Sequence, residues 1–253
     1  MPIIAFANQK GGVGKTTSVL NSGWALAQLQ RRVLLIDLDP QASLTAMLGI
    51  EAVDANLGSV LGITQRGTTD IASIIRPIGH NLDLAPGDIL LSRTELGLVV
   101  RAAREHQLAR VLAPLDGQYD LILIDAPPSL GMLTINALVA AQWVIIPTLL
   151  DALALRGLGL FVETLAEVQT DYQHVAQVLG VLPTLADLRT VHARDILAAL
   201  RNRPDLRLFD AIIPRSIRFS EAALAQQPIG QYDPTNTGAA AYAALAEEIL
   251  NRA

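Results

Sequence analysis

The chain has 253 residues, 51% of them apolar and 17% charged, with a net charge of −5 and no cysteine. That length and composition suit one large α/β domain with a packed core, while the missing cysteines exclude a thiolate-held iron–sulfur cluster or zinc site. The acidic balance argues against nucleic acid wrapped over the whole surface and leaves room for a local arginine patch.

The first apolar run, Pro2 to Ala7, predicts a buried strand, and Ser18 to Ala27 carries helical periodicity. Between them lies Lys10-Gly11-Gly12-Val13-Gly14-Lys15-Thr16-Thr17. Strand, glycine-rich turn and helix is the context of a phosphate-binding loop. Its glycines let backbone N–H groups turn inward around an anion, and the helix N-terminus adds its dipole. Lys15 supplies a point charge for the β- and γ-phosphates, and the Thr16 hydroxyl is placed to ligate Mg²⁺. The expected cofactors are therefore a nucleoside triphosphate, ATP, and Mg²⁺. The pattern G-x-x-x-x-G-K-T is nearly met: Gln9 stands where the first glycine would be, and Lys10 opens the loop. Lys10 and Lys15 are the only lysines in the chain. A genomic bias toward arginine accounts for the absence elsewhere, and phosphate chemistry for the two that remain.

A second strand, Arg32 to Asp37, runs into Leu38-Asp39-Pro40-Gln41, an apolar run ending in carboxylates. Asp39 is expected to orient the attacking water with Asp37 beside it; the alternative for one of them is to cap a helix starting at Gln41. Residues 50 to 80 are the least informative, with a short helix read over Ile71 to Ile75. Leu82 to Gly87 reads as strand and turn. Leu90 to Leu115 follows a helical pattern whose Arg101, Arg104 and Arg110 suit a solvated face. Tyr119 to Pro128 is a hydrophobic strand ended by Asp125, placed to hold Mg²⁺ through water or to accept from Thr16. A helix capped by Ser129 is predicted over Ser129 to Ala141, then a strand over Trp143 to Pro147. Asp151 has the chemistry of a helix cap, and a helix is read over Leu158 to Tyr172. Val178 to Pro183 is another strand, and Gly238 to Arg252 the terminal helix. His80, His106, His174 and His192 have no metal-like spacing. With no leader pattern and no membrane-length apolar run, a cytoplasmic location is expected.

Five motifs carry a resemblance: K-G-G-x-G-K-T-T from Lys10, D-x-D-P-Q from Asp37, D-x-P-P from Asp125, T-x-x-D-x-R-T from Thr184 and I-P-R-x-x-R-x-x-E-A from Ile213. Together they make the chain similar to the ParA/Soj-type partition ATPases of the ParA/MinD group, along nearly its whole length and least over residues 50 to 115. The resemblance implies a single ParA-like domain over residues 1–253, α/β and P-loop NTPase-like, with a mostly parallel sheet and helices on both faces. It implies nucleotide contacts from Gly11 to Thr17 and from the Pro214-Arg215 turn against adenine. It implies Mg²⁺ held at Thr16, Asp39 and Asp125, partly through water. Lys10, Lys15 and Asp39 form the implied catalytic set, Lys10 reaching a partner's phosphates in an ATP sandwich homodimer. Arg189 and Arg218 are implied contacts to non-specific double-stranded DNA, where guanidinium forks suit phosphate oxygens.

The implied function is slow ATP hydrolysis, stimulated by a ParB-like partner, that segregates a plasmid or chromosome on the nucleoid. The same switch could carry a protein cluster or organelle instead. A MinD-like membrane switch is disfavoured because the C-terminal Ala241 to Ala253 carries Glu247 and Glu248 against one Arg252. A P-loop amide ligase shares the loop but leaves the I-P-R-x-x-R match unexplained. With the first strand starting at Pro2, no helix-turn-helix is expected ahead of it. The chain departs from the family pattern at two places: Ala42-Ser43 stand for the usual Gly-Asn, and Asp151 for the usual Glu, whose place implies a contact to nucleotide or the dimer partner as the alternative to a helix cap.

Overall fold

The structure is a computed structural model that describes residues 1–50, 56–62, 70–172, 175–203 and 206–253. Its seven-stranded sheet is built from β1 (Ile3–Phe6), β2 (Val33–Asp37), β3 (Arg76–Gly79), β4 (Leu82–Ala85), β5 (Leu121–Asp125), β6 (Trp143–Leu149) and β7 (Gln177–Thr184). The order is β3-β4-β2-β5-β1-β6-β7, and every pairing is parallel except the β3–β4 edge. Strands β1, β2 and β5 are buried at every residue. Strands covered on both faces carry continuous rather than alternating apolar runs, which is why these three are so plain in the sequence. The antiparallel β3 was not predicted. It alternates half-buried with exposed residues and contains Pro77 beside a register shift, both marks of an edge strand.

Along β1, Ile3 and Ala5 face one layer and Ile4 and Phe6 the other. The first layer packs α3 (Leu57–Leu61), α4 (Leu90–Leu98), α5 (Gln107–Leu112), α6 (Met132–Ala140), α7 (Ala152–Asp171) and α8 (Val191–Arg201). The second packs α1 (Lys15–Gln28), α2 (Ser43–Met47), α9 (Arg218–Leu224), α10 (Ile229–Tyr232) and α11 (Thr237–Arg252). The expected architecture, a mostly parallel sheet with helices on both faces, is the one observed. No helix of the described residues is long and apolar enough to cross a membrane.

Several boundaries differ from the sequence reading. The 90–115 stretch is broken into α4, α5 and two short 3-10 turns, and the helix read over Ile71 to Ile75 is a 3-10 turn at Ile71–Ser73. Helix α7 starts at Ala152, six residues before the expected Leu158, because Asp151 caps it by accepting from the Ala154 amide at 2.6 Å. Helix α6 starts at Met132 rather than Ser129: its N-cap is Gly131, and Ser129 does not cap it. His174 and parts of the 50–80 stretch lie outside the described residues.

Candidate functional site

The parallel strands β1, β2 and β5 end together, and the chain leaving each end supplies one wall of a site. After β1, Gly12 and Gly14 take φ of 71° and 78°, left-handed backbone that only glycine adopts freely. Gly14 is the N-cap of α1, so the loop turns directly into the helix N-terminus. Gly11 has no such constraint, and a Cβ added there would meet nothing within 4 Å. Its lack of a side chain is therefore explained by nothing in the fold; the open space over it is what a closely approaching phosphate needs. The Thr184 hydroxyl at the end of β7 donates to the Val13 carbonyl at 2.8 Å and holds the loop down. Asn8 bridges the Lys10 amide (2.9 Å) and the Pro147 carbonyl (2.7 Å).

The two lysines are placed differently. Lys15 is buried, and its ammonium meets only backbone carbonyls, those of Asn8 at 3.2 Å and Lys10 at 3.4 Å. Burial pulls its pKa below the usual lysine value, against the opposing charges of Asp125 and Asp39. Lys10 stands at the rim, with a side chain 34% exposed, and pairs with Asp151 at 3.1 Å. Asp151 thus takes the capping role left open in the sequence, and it also holds Lys10 of its own chain. Although burial pushes its carboxyl up, the Ala154 amide and Lys10 hold it below the usual carboxylate range.

Opposite the loop, Asp37 and Asp125 sit side by side in the β2–β5 register. Both oxygens of Asp125 and Oδ1 of Asp37 are buried without a hydrogen-bond partner. Burial drives the Asp125 carboxyl well above its ordinary range, and the neighbouring Asp37 charge adds to this. The Thr16 hydroxyl faces Asp125 closely enough to favour its charged form without completing a bond to it. Asp37 is pushed up to about 6 by burial, against two bonds from Thr45, amide at 2.8 Å and hydroxyl at 2.6 Å. Asp39 is buried, and its Oδ1 accepts from the Gln41 amide at 2.9 Å. It caps no helix: α2 begins at Ser43, after Ala42 at φ 51°. Unpartnered buried carboxylate oxygens facing a threonine hydroxyl are a donor set that fits a hard divalent cation. Among the described residues no three His, Cys, Asp or Glu form a metal cluster, so such a cation would draw its remaining ligands from phosphate and water.

A cavity of about 230 Å³ adjoins the loop, lined by Gly14, Thr17, Thr184, Ile213, Ser216 and Phe219 among others. The residues expected against adenine, Pro214 and Arg215, line a neighbouring groove with Asp187 and Arg189 instead. Their flanking Ile213 and Ser216 are the ones that reach the loop cavity. The arginines expected at DNA are exposed and already engaged. Arg189 makes two bonds of 2.7 Å to Asp187, which hold the Asp187 carboxyl at about 2. Arg218 pairs with Glu221 at 2.7 Å and more loosely with Asp233 at 3.7 Å. Arg215 forms no ion pair among the described residues.

Sequence reading missed Asn8, Thr45 and Thr184. Asn8 and Thr184 reach across more than a hundred residues, to Pro147 and Val13, while Thr45 lies eight residues from Asp37; Thr184 was visible only as the first residue of a motif, without this role.

Comparison with known proteins fits this geometry. The AAA domain family matches residues 1–178. The chain is 41% identical over 248 residues to the sporulation initiation inhibitor protein Soj of Bacillus subtilis, covering 98% of this chain and 97% of that one. It is 40% identical over 250 residues to the chromosome-partitioning ATPase Soj of Thermus thermophilus, covering 98% and 95%. The chain belongs to this AAA domain family, as a ParA/Soj-type ATPase. Among solved structures, this ParA/Soj-type chain superposes on cobyrinic acid a,c-diamide synthase of Mycobacterium smegmatis, bound to an ATP analogue and magnesium. The TM-score is 0.85 at 39% identity, over 99% of this chain and 95% of that one.

Proposed function

We propose that this chain is an ATP-driven dimerisation switch that binds DNA non-specifically as the ATP sandwich dimer and hydrolyses ATP to segregate a plasmid or chromosome. The observation that carries the reading is the division of labour between the lysines. Lys15 is buried beside the loop, where it would reach phosphates of its own subunit, and Lys10 stands outward at the rim, held by one half-buried carboxylate. An ammonium so placed serves a group arriving from outside the subunit.

In this reading Gly11 to Thr17 bind the phosphates of ATP, and the cavity beside Gly14 and Thr17 takes the base. Thr16, Asp125 and Asp39 would hold Mg²⁺, partly through water. The cation, when bound, neutralises charge on the β- and γ-oxygens. Asp39 orients the attacking water, and Lys15 and the partner's Lys10 stabilise charge as the terminal phosphoryl leaves. Two copies of the arginine surface in one dimer add phosphate contacts, so the dimer holds DNA more firmly than the monomer. Hydrolysis is slow alone, is stimulated by a ParB-like protein, and dissolves the dimer. The chain works in the cytoplasm on the nucleoid, without a membrane.

Light scattering with ATP and Mg²⁺ tests the switch, using Asp39→Ala to retain the nucleotide. The expected result is a dimer for Asp39→Ala and a monomer once Lys10→Ala is added. A monomer in both cases contradicts the reading. The name borne by the Mycobacterium smegmatis relative favours a second reading, an ATP-dependent amide ligase. The chain has no cysteine with which to release ammonia from glutamine by thiol attack. ATP turnover with no carboxylic acid or amine supplied supports the switch; turnover that requires both supports the ligase.

A further inference from the structure

Helix α6 follows the loop that leaves Asp125, and its first turn is capped from a distance. Its N-cap, Gly131, offers no side chain, so the first amides of the helix need an acceptor from elsewhere. Glu95 of α4 supplies one: its Oε1 accepts from the Leu133 amide at 3.2 Å. The fit explains Gly131, whose φ of −77° does not call for glycine. A Cβ there would collide with that same oxygen and displace the Glu95 carboxylate. Glu95 forms no ion pair among the described residues, and its bond to the Leu133 amide places its charge at the favourable end of the helix dipole. One residue beyond Leu133, the buried Thr134 hydroxyl points back at the loop, bonding the Ser129 carbonyl at 2.5 Å and lying 3.4 Å from that of Pro127. The loop's other end is fixed by the sheet, where Ala126 donates to the Phe6 carbonyl at 3.2 Å and Leu38 to that of Asp125 at 3.1 Å.

We propose that Glu95 and Thr134 are positioning residues for ATP hydrolysis, a clamp that sets the path of the loop from Asp125 to Gly131. Neither touches nucleotide. Glu95 fixes the first turn of α6, and Thr134 carries that fixed position to the carbonyls of the loop. The inference rests on the hydrolytic reading above, since it gives the loop a reaction to serve. A clamp of this kind acts on the geometry of the reacting groups more than on the affinity of the phosphate loop for nucleotide.

The test compares steady-state ATP turnover and equilibrium binding of a fluorescent ATP analogue in the parent, Glu95→Ala, Glu95→Gln, Thr134→Val and Asp39→Ala. Hydrogen exchange is followed over residues 126–134. Glu95→Ala and Thr134→Val are expected to lower kcat about tenfold, as a small misplacement of reacting groups does, with nucleotide affinity kept within about twofold. Glu95→Gln keeps an acceptor oxygen and restores kcat to within about threefold of the parent. Exchange over 126–134 quickens in Glu95→Ala and returns toward the parent in Glu95→Gln. Parent-like kcat in Glu95→Ala overturns the clamp. So does a parallel fall of kcat, affinity and melting temperature, which a purely structural role produces. A parent with no turnover removes the hydrolytic reading and the clamp with it. An active parent with inactive Asp39→Ala and normal clamp variants removes the clamp alone.

Discussion

The nucleotide end of the sheet and the arginine surface both carry charge, and they carry it in opposite conditions. At the sheet end the charges are buried and underpaired: among the described residues Lys15 bonds only to carbonyls, and Asp125 has no hydrogen-bond partner. On the surface between Asp187 and Glu221, Arg189 and Arg218 are exposed and each already holds a carboxylate. Burying an unpaired charge costs stability and persists in a fold only where something else repays it. An exposed pair contributes little to stability and exchanges readily for a phosphate. Unmet charge therefore marks the nucleotide end as built for a ligand, and the arginine surface draws its meaning from its motif and from the proposed dimer, which would double it.

The contrast can be broken at its strongest point first. Asp125→Asn removes the buried charge and keeps the shape. The nucleotide-free protein is expected to gain about 1–3 kcal/mol, roughly 5 °C in melting temperature. Magnesium-dependent ATP turnover is expected to fall by about a hundredfold or more. Calorimetry and a phosphate-release assay read the two effects, and a variant that loses stability along with activity contradicts the account of an unmet carboxylate. A smaller cost is stored nearby at Ala42, a non-glycine residue at φ 51°. Ala42→Gly, which restores the family's usual residue, is expected to stabilise by about 1 kcal/mol in a denaturation curve. The least effect on folding belongs to the arginines: Arg189→Ala and Arg218→Ala are each expected to leave the denaturation midpoint essentially where it is.

These two regions were also unequally legible. The phosphate loop could be read because its chemistry is contiguous: Lys10 to Thr17 hold glycines, lysines and threonine in one stretch between a strand and a helix. Strands β1, β2 and β5 were legible because double burial writes an unbroken apolar run. What supports the loop was not. Thr45 holds Asp37, Thr184 holds Val13, Asn8 spans to Pro147 and Glu95 reaches Leu133, all through contacts that only folding creates. The start of α6 was misplaced for the same reason: Ser129 has the chemistry of a cap, but a carboxylate from α4 takes the position. At the arginines the sequence named the residues and could not foresee that Asp187 and Glu221 would occupy them.

The most direct test of the central claim is binding to random-sequence duplex DNA with ATP, ADP or no nucleotide, across a salt series. Parent, Lys10→Ala and Arg218→Ala are compared. The account predicts binding that requires ATP, weakens steeply with salt and is lost with Lys10→Ala. With Arg218→Ala, the salt slope is expected to shrink by about 0.9 for each phosphate contact removed, hence about twice that per dimer. A protein that dimerises with ATP and ignores DNA, or that binds DNA equally in every nucleotide state, contradicts it.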